Sequence, residues 1–152
     1  MPSSTDKIEK TVVLPAPRSR VWRALTDAAQ FSQWFGVTLV GRFAAGEPIR
    51  GPVTSPGYEH LTMEIWVERI EPERLFSFRW HPAAIDPSVD YSAEPTTLVT
   101  FVLEEVGQAT RLTVVESGFD QIPAARRAKT IEMNTGGWTA QLVNIAKFLG
   151  PS

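Results

Sequence analysis

ATRLTVVESGFDQIPAARRAKTIEMNTGGWTAQLVNIAKFLG, residues 109–150, is the stretch that decides the fold. Its first part alternates, which puts Leu112, Val114 and Glu116 on one face of a strand. The strand ends at Ser117-Gly118-Phe119. One helix is then expected from about Asp120 to Leu149, opened by Asp120 and Pro123 and closed by Gly150-Pro151. Ala124, Ala128, Ile131, Thr135, Trp138, Leu142, Ile145 and Leu149 recur at helical spacing. A single long helix that follows strands must lay such a stripe across their sheet. Gly136-Gly137 in mid-helix cost roughly 1 kcal/mol each against alanine. Close backbone packing or a bend over an enclosed space would offset that cost, and we read the helix as the lid of a cavity.

Upstream, Ile8 to Leu14 reads as a first strand, ended by Pro15-Ala16-Pro17. Pro17 can open a short helix over Arg18 to Leu25. Thr26 or Asp27 caps a second one that carries Phe31, Trp34 and Phe35, and Gly36 stops it. Strands are expected at Val37 to Phe43, within Gly46 to Thr54, and at Leu61 to Ile70. In the last of these Leu61, Met63, Ile65 and Val67 oppose Thr62, Glu64, Trp66 and Glu68. After the turn Glu71-Pro72-Glu73-Arg74, Phe76, Phe78 and Trp80 share a face. His81 to Pro95 is a long Pro- and Asp-rich loop, of a length often tied to function, and it could gate a cavity. Thr96 to Val106 and Ala109 to Ser117 form a hairpin around Gly107-Gln108. The fold class is therefore α+β: a curved antiparallel sheet of about seven strands, two short helices after the first strand, and a long C-terminal helix over the sheet. We expect one domain over residues 7–150, with 1–6 as a flexible tail.

The 152 residues suffice for one core without a staple. There is no cysteine, which excludes disulfides and thiolate metal sites and suits a cytoplasmic setting. A net charge of -2 gives no field for nucleic acid. No signal-peptide core and no apolar run near the ~20 residues of a membrane span occur. No GxSxG elbow, phosphate loop, dinucleotide fingerprint or HExxH is present, which removes the commonest enzyme classes by motif.

Four motifs in order carry a resemblance. They are Ala16-Pro17 with Val21-Trp22-Arg23-Ala24-Leu25 and Trp34-Phe35; Glu71-Pro72-Glu73-Arg74-Leu75 leading to Phe78-Arg79-Trp80; Thr97-Leu98-Val99-Thr100-Phe101 with Thr110-Arg111-Leu112-Thr113 and Glu116-Ser117-Gly118-Phe119; and Gly137-Trp138 with Leu142. Together they make the chain, over about residues 7 to 149, resemble the SRPBCC (START-like, helix-grip) superfamily. Within it the chain is similar to the group named after the activator of heat-shock-protein-90 ATPase. The resemblance implies a sheet gripping the C-terminal helix around a hydrophobic cavity. It also implies binding of lipids, hormones or polyketides, with cyclisation chemistry in a minority of members. Glu116 stands where relatives often have histidine, which argues against a histidine-based mechanism.

The candidate ligand-binding set is Trp34, Met63, Ile65, Phe78, Trp80, Phe101, Glu116, Ile131, Asn134, Thr135 and Trp138. For any one of the aromatics, core packing is the simpler reading. If Trp138 lines a cavity, Trp138→Ala should cost much less than the ~3–5 kcal/mol of a packed aromatic. Glu116 lies on an inward face, where a carboxylate needs partners. It either anchors a ligand, with Asn134 or Thr135 beside it, or pairs with Arg79, Arg126 or Arg127 at the mouth. His60 and His81 make no convincing metal set, and Asp86, Asp90 and Glu94 read as a solvated acidic loop. Arg126, Arg127 and Lys129 read as a solvated outer face of the helix. No cofactor is called for. The leading expectation is non-covalent binding of a small hydrophobic or amphipathic molecule. The second is a polyketide-cyclase-like enzyme using Glu116 or His81 as acid or base. A chaperone-cofactor role ranks last.

Overall fold

A computed structural model describes residues 7–82, 84 and 89–150 of the chain. Strand β1 (Lys7–Leu14) is followed by helices α1 (Arg18–Thr26) and α2 (Ala28–Phe35). Strands β2 (Pro48–Pro52), β3 (Thr62–Glu71), β4 (Leu75–Trp80), β5 (Thr97–Val106) and β6 (Ala109–Ser117) come next, and helix α3 (Ala124–Leu149) closes the chain. The strands form one antiparallel sheet in the order β1-β6-β5-β4-β3-β2. Among the described residues it has six strands, not about seven. The expected tail at 1–6 lies outside the described residues.

The missing strand is Val37 to Phe43, where only Val37 makes an isolated bridge, to Val53. Its sequence is extended and apolar, but Gly36 caps α2 in the left-handed region at φ 91° and turns the chain. The chain then passes so close over Gly51 that a β-carbon there would sit 1.7 Å from the Thr38 carbonyl oxygen. Leu39 and Phe43 go into the core instead of into a ladder. Asp27 caps α2 by accepting from the N–H groups of Ala29 and Gln30, as its position before an apolar run suggests.

Period-two alternation builds the inner face of the sheet. Ile65, Val67, Phe76, Phe78, Val99, Phe101, Leu103, Leu112 and Val114 are all buried there. Val21, Ala24 and Leu25 of α1 and Phe31 and Trp34 of α2 cover one end of it. The rings interlock: Phe31 stacks on Phe35 at 4.7 Å, and Phe101 meets Trp138 edge-on at 5.8 Å.

Helix α3 starts four residues later than expected. Phe119–Gln121 forms a short 3-10 turn, and Pro123 stands at the N-cap. Only the C-terminal half of its stripe is fully used: Trp138, Leu142, Ile145 and Leu149 are buried, whereas Ala124 and Ala128 are exposed. The small alanines have little apolar area to gain from docking, and the N-terminal half of the helix carries Thr130 as its one buried residue. Gly136 and Gly137 are not packing glycines either, since a β-carbon on each would meet nothing within 4 Å. Neither has positive φ. Gly136→Ala and Gly137→Ala are therefore expected to stabilise the protein by roughly 0.5–1 kcal/mol each. Urea denaturation checks this, and a loss of stability in both variants would mean that the helix changes conformation there.

Candidate functional site

The register of three strands and the turn of α3 converge on one carboxylate. Glu116 on β6 faces inward, with Val99 of β5 and Ile8 of β1 as its neighbours across the ladders. Trp80, the last residue of β4, pairs with Thr97, the first of β5. Asn134 and Trp138 sit one helical turn apart on α3 and meet the same point. Glu116 is 0 % exposed. Its Oε2 accepts from Trp80 Nε1 at 2.8 Å and from the Thr97 hydroxyl at 2.5 Å. Its Oε1 accepts from Trp138 Nε1 at 2.8 Å, and the Asn134 amide reaches both oxygens at 2.9 and 3.1 Å.

These partners are all neutral. A carboxylate offers about four lone-pair sites, and the surrounding side chains fill them. Glu116 therefore ties β4 and β5 to α3 and has no acceptor site to spare. An acid–base role would first require one of these donors to leave. The expected pairing with arginine does not occur. Arg79 turns to Glu68 and Arg126 to Glu94, while Arg127 donates to the carbonyls of Phe119, Asp120 and Ile122. Each arginine finds its partner on the outer face or at the helix start, and indole and amide donors fill the interior. Arg126 and Arg127 are thus half-buried and engaged, not free on a solvated face. The first holds Glu94 and lies over the Tyr91 ring at 5.1 Å, and the second caps the turn before α3.

Two hollows flank this centre. The larger, about 430 Å³, is bounded by Leu61, Met63, Glu64, Trp66, Trp80, His81, Tyr91, Ser92 and Asn134, among others. The smaller, about 200 Å³, lies over Trp138 between Phe35, Trp80, Asn134, Gly137 and Gln141. Trp80 and Asn134 border both, so two of the four donors that hold Glu116 also partition the space. The larger hollow exists because β4 stops at Trp80 while β3 continues past it: Trp66–Arg79 is the last β3–β4 pair, leaving Thr62 to Ile65 unpaired on that side. The far side is closed by Tyr91–Ala93, where the Ser92 hydroxyl and N–H hold the Asp90 carboxyl below its usual range. That turn is favoured above the ordinary carboxylate range and loosens as pH falls below it through the lowered value.

The candidate residues divide accordingly. Met63, Trp80, Asn134 and His81 border the larger hollow, and Trp138 borders the smaller. Ile65, Phe78 and Phe101 are wholly buried in the core. Trp34 is core too, its indole N–H donating to the Ala24 carbonyl at 2.7 Å. Ile131 packs on the core from α3, and the Thr135 hydroxyl donates to the Ile131 carbonyl of its own helix, not to Glu116. His81 Nε2 lies 3.1 Å from the Glu94 carbonyl oxygen, and its ring meets Trp66 edge-on at 5.5 Å. Asp86 lies outside the described residues, and among those described no three His, Asp or Glu side chains gather as a metal site. Thr97, Trp66 and Tyr91 were not among the candidate site residues read from the sequence. Thr97 was legible only through its register opposite Trp80.

The antiparallel sheet gripping a C-terminal helix, with its polar clamp and adjoining hollows, defines a helix-grip protein of the SRPBCC class. The chain belongs to the family described as activator of Hsp90 ATPase homolog 1-like protein, which it matches over residues 15–150. No match is found among curated proteins. Solved structures share the fold. DynU16, a putative protein in the dynemicin biosynthetic locus, is 27% identical with a TM-score of 0.72 over 95% of this chain, which spans 47% of the length of that one. MLL2253 from Mesorhizobium loti is 22% identical with a TM-score of 0.73, covering 94% of this chain and 96% of that one. CalU16 from Micromonospora echinospora is 22% identical with a TM-score of 0.66, covering 95% of this chain and 76% of that one. No helix among the described residues is long and apolar enough to cross a membrane.

Proposed function

We propose that the protein binds a small, largely apolar molecule in the hollow bordered by Met63, Trp66, Trp80, Tyr91 and Asn134. The observation that carries this reading is the hollow itself. Its volume of about 430 Å³ falls in the range of ligand sites. It is rich in aromatic faces and adjoins the donor-saturated Glu116. In this reading Glu116 positions Trp80 and Asn134 as part of the ligand's surroundings. Ligand contact falls to Met63, Trp80 and Asn134 from the original set, while Ile65, Phe78, Phe101 and the packed Trp138 support them from behind. The likeness to a putative protein in the dynemicin biosynthetic locus supports trying products of such a biosynthetic locus among the first ligands. The absence of cysteine suits a cytoplasmic protein.

The test is a titration of intrinsic tryptophan fluorescence with fatty acids, flavonoids, sterols and aromatic polyketides. At least one class should saturate. Met63→Trp, which fills the half-buried edge of the hollow, should weaken that affinity at least tenfold while leaving the fold intact. An unchanged affinity in that variant, or no saturation by any class, would overturn the reading. A cyclase-type reaction at Glu116 is less well supported, because its oxygens are already fully engaged.

A further inference from the structure

A second concave surface lies on the opposite margin of the sheet, away from Trp80. It is an open groove of about 750 Å³ between the free edge strand β1 and α3. Its sides are Val12 and Pro15 from one flank and Thr139, Leu142, Val143 and Ala146 from the other. Val143 is 49% exposed, a large aliphatic side chain left open to solvent. Lys10 and Lys147 stand at the groove, and it contains no acidic residue.

Lys10 is the telling residue. By strand alternation it shares the inward face of β1 with Ile8, Val12 and Leu14, where an apolar side chain is the norm. It is partly buried, and among the described residues neither it nor Lys147 takes part in an ion pair. An inward lysine on an edge strand discourages pairing with another sheet. That accounts for Lys10 alone. It does not account for the exposed Lys147, which brings a second positive charge to the other side of the same apolar groove. Lys147 sits in the last turn of α3, where its charge also offsets the negative end of the helix and so removes a barrier to an anion. The stretch of α3 from Thr139 to Leu149 extends for roughly 15 Å at 1.5 Å per residue, long enough for an alkyl chain to lie along it. The groove is built from side chains of the inner face of β1 and one side of α3. An added β-strand would need the outer backbone edge, so a small amphiphile fits better than a peptide.

We propose that this groove binds a single-chain amphiphile with an anionic head, a long-chain carboxylate in the simplest case, with the tail along Val12, Leu142, Val143 and Ala146 and the head at Lys10 and Lys147. The site is separate from the hollow beside Trp80 and does not depend on the function assigned there.

Amide NMR of the full chain, titrated with dodecanoate below its micellar concentration, tests it. Saturable shifts are expected at residues 10–15 and 139–150. Lys10→Gln should weaken binding about tenfold, and Lys10→Gln with Lys147→Gln should weaken it further, with melting temperatures unchanged. Dodecyltrimethylammonium, equal in tail and opposite in charge, should bind at least tenfold more weakly. Shifts confined to residues 61–66, 80–92 and 134 would overturn the groove site while supporting the hollow. Equal affinity for both head groups, no effect of the lysine substitutions, or no shifts at all would also overturn it. So would protein-alone, concentration-dependent shifts at the groove, which would assign it to a second copy of the chain.

Discussion

Glu116→Gln is expected to destabilise the protein by roughly 2–4 kcal/mol, as measured by urea denaturation, although it changes one atom of a side chain. The carboxylate accepts from Trp80, Thr97, Asn134 and Trp138 at 2.5–3.1 Å. A carboxamide has one accepting oxygen and a donating NH2 group. Whichever way it turns, the NH2 faces an indole N–H that cannot accept. One buried donor is left without a partner and another meets a like dipole. Bonds to a charged acceptor are also worth about twice those to a neutral one. A loss under about 1 kcal/mol would mean that the donors are satisfied elsewhere, and the clamp would not be what holds α3 to β4 and β5.

Trp138→Ala should cost about 3–5 kcal/mol, the full range for a packed aromatic. That is a large part of the 5–15 kcal/mol available to a typical domain. Trp138 is 3% exposed, packs against Phe35, Trp80 and Phe101 with ring centroids 5.7–6.2 Å apart, and donates to Glu116. The small hollow beside it leaves most of its surface covered. Trp138→Phe separates the two contributions, since it keeps a ring and deletes the donor, and should cost about 1–3 kcal/mol. If Trp138→Ala cost no more than Trp138→Phe, the ring would be lining open space, and the cavity reading of this residue would return.

The general architecture was legible because long-period signals decide it. Alternation over 97–117 and the late stripe Trp138, Leu142, Ile145 and Leu149 each involve large side chains that must be buried, and they are. The first half of the helix misled because Ala124 and Ala128 sit on the same spacing but have little area to bury. Val37 to Phe43 misled because its composition suits a strand, while the close pass over Gly51 that prevents one depends on where a distant segment lies. At the site, parity alone turned Glu116 inward. Its partners were not legible together because they come from β4, β5 and α3, and only the register Trp80–Thr97 and the azimuth of α3 bring them to one point. The hollow itself arises from unequal lengths of β3 and β4, a matter of where pairing stops. Periodicity does not encode that: Trp66 was placed on the strand face opposite Met63, yet both border the space.

The most direct test of the account is an NMR titration that follows the five tryptophan indole N–H signals with a ligand class that quenches fluorescence. The account predicts that Trp66 and Trp80 shift saturably, along with the amides of residues 61–66 and the side-chain amide of Asn134, while Trp22 and Trp34 stay still. Ligand-induced shifts that bypass Trp66 and Trp80, or indole signals that do not respond to any ligand tried, would contradict it and leave the hollow beside Glu116 as an unoccupied feature of the fold.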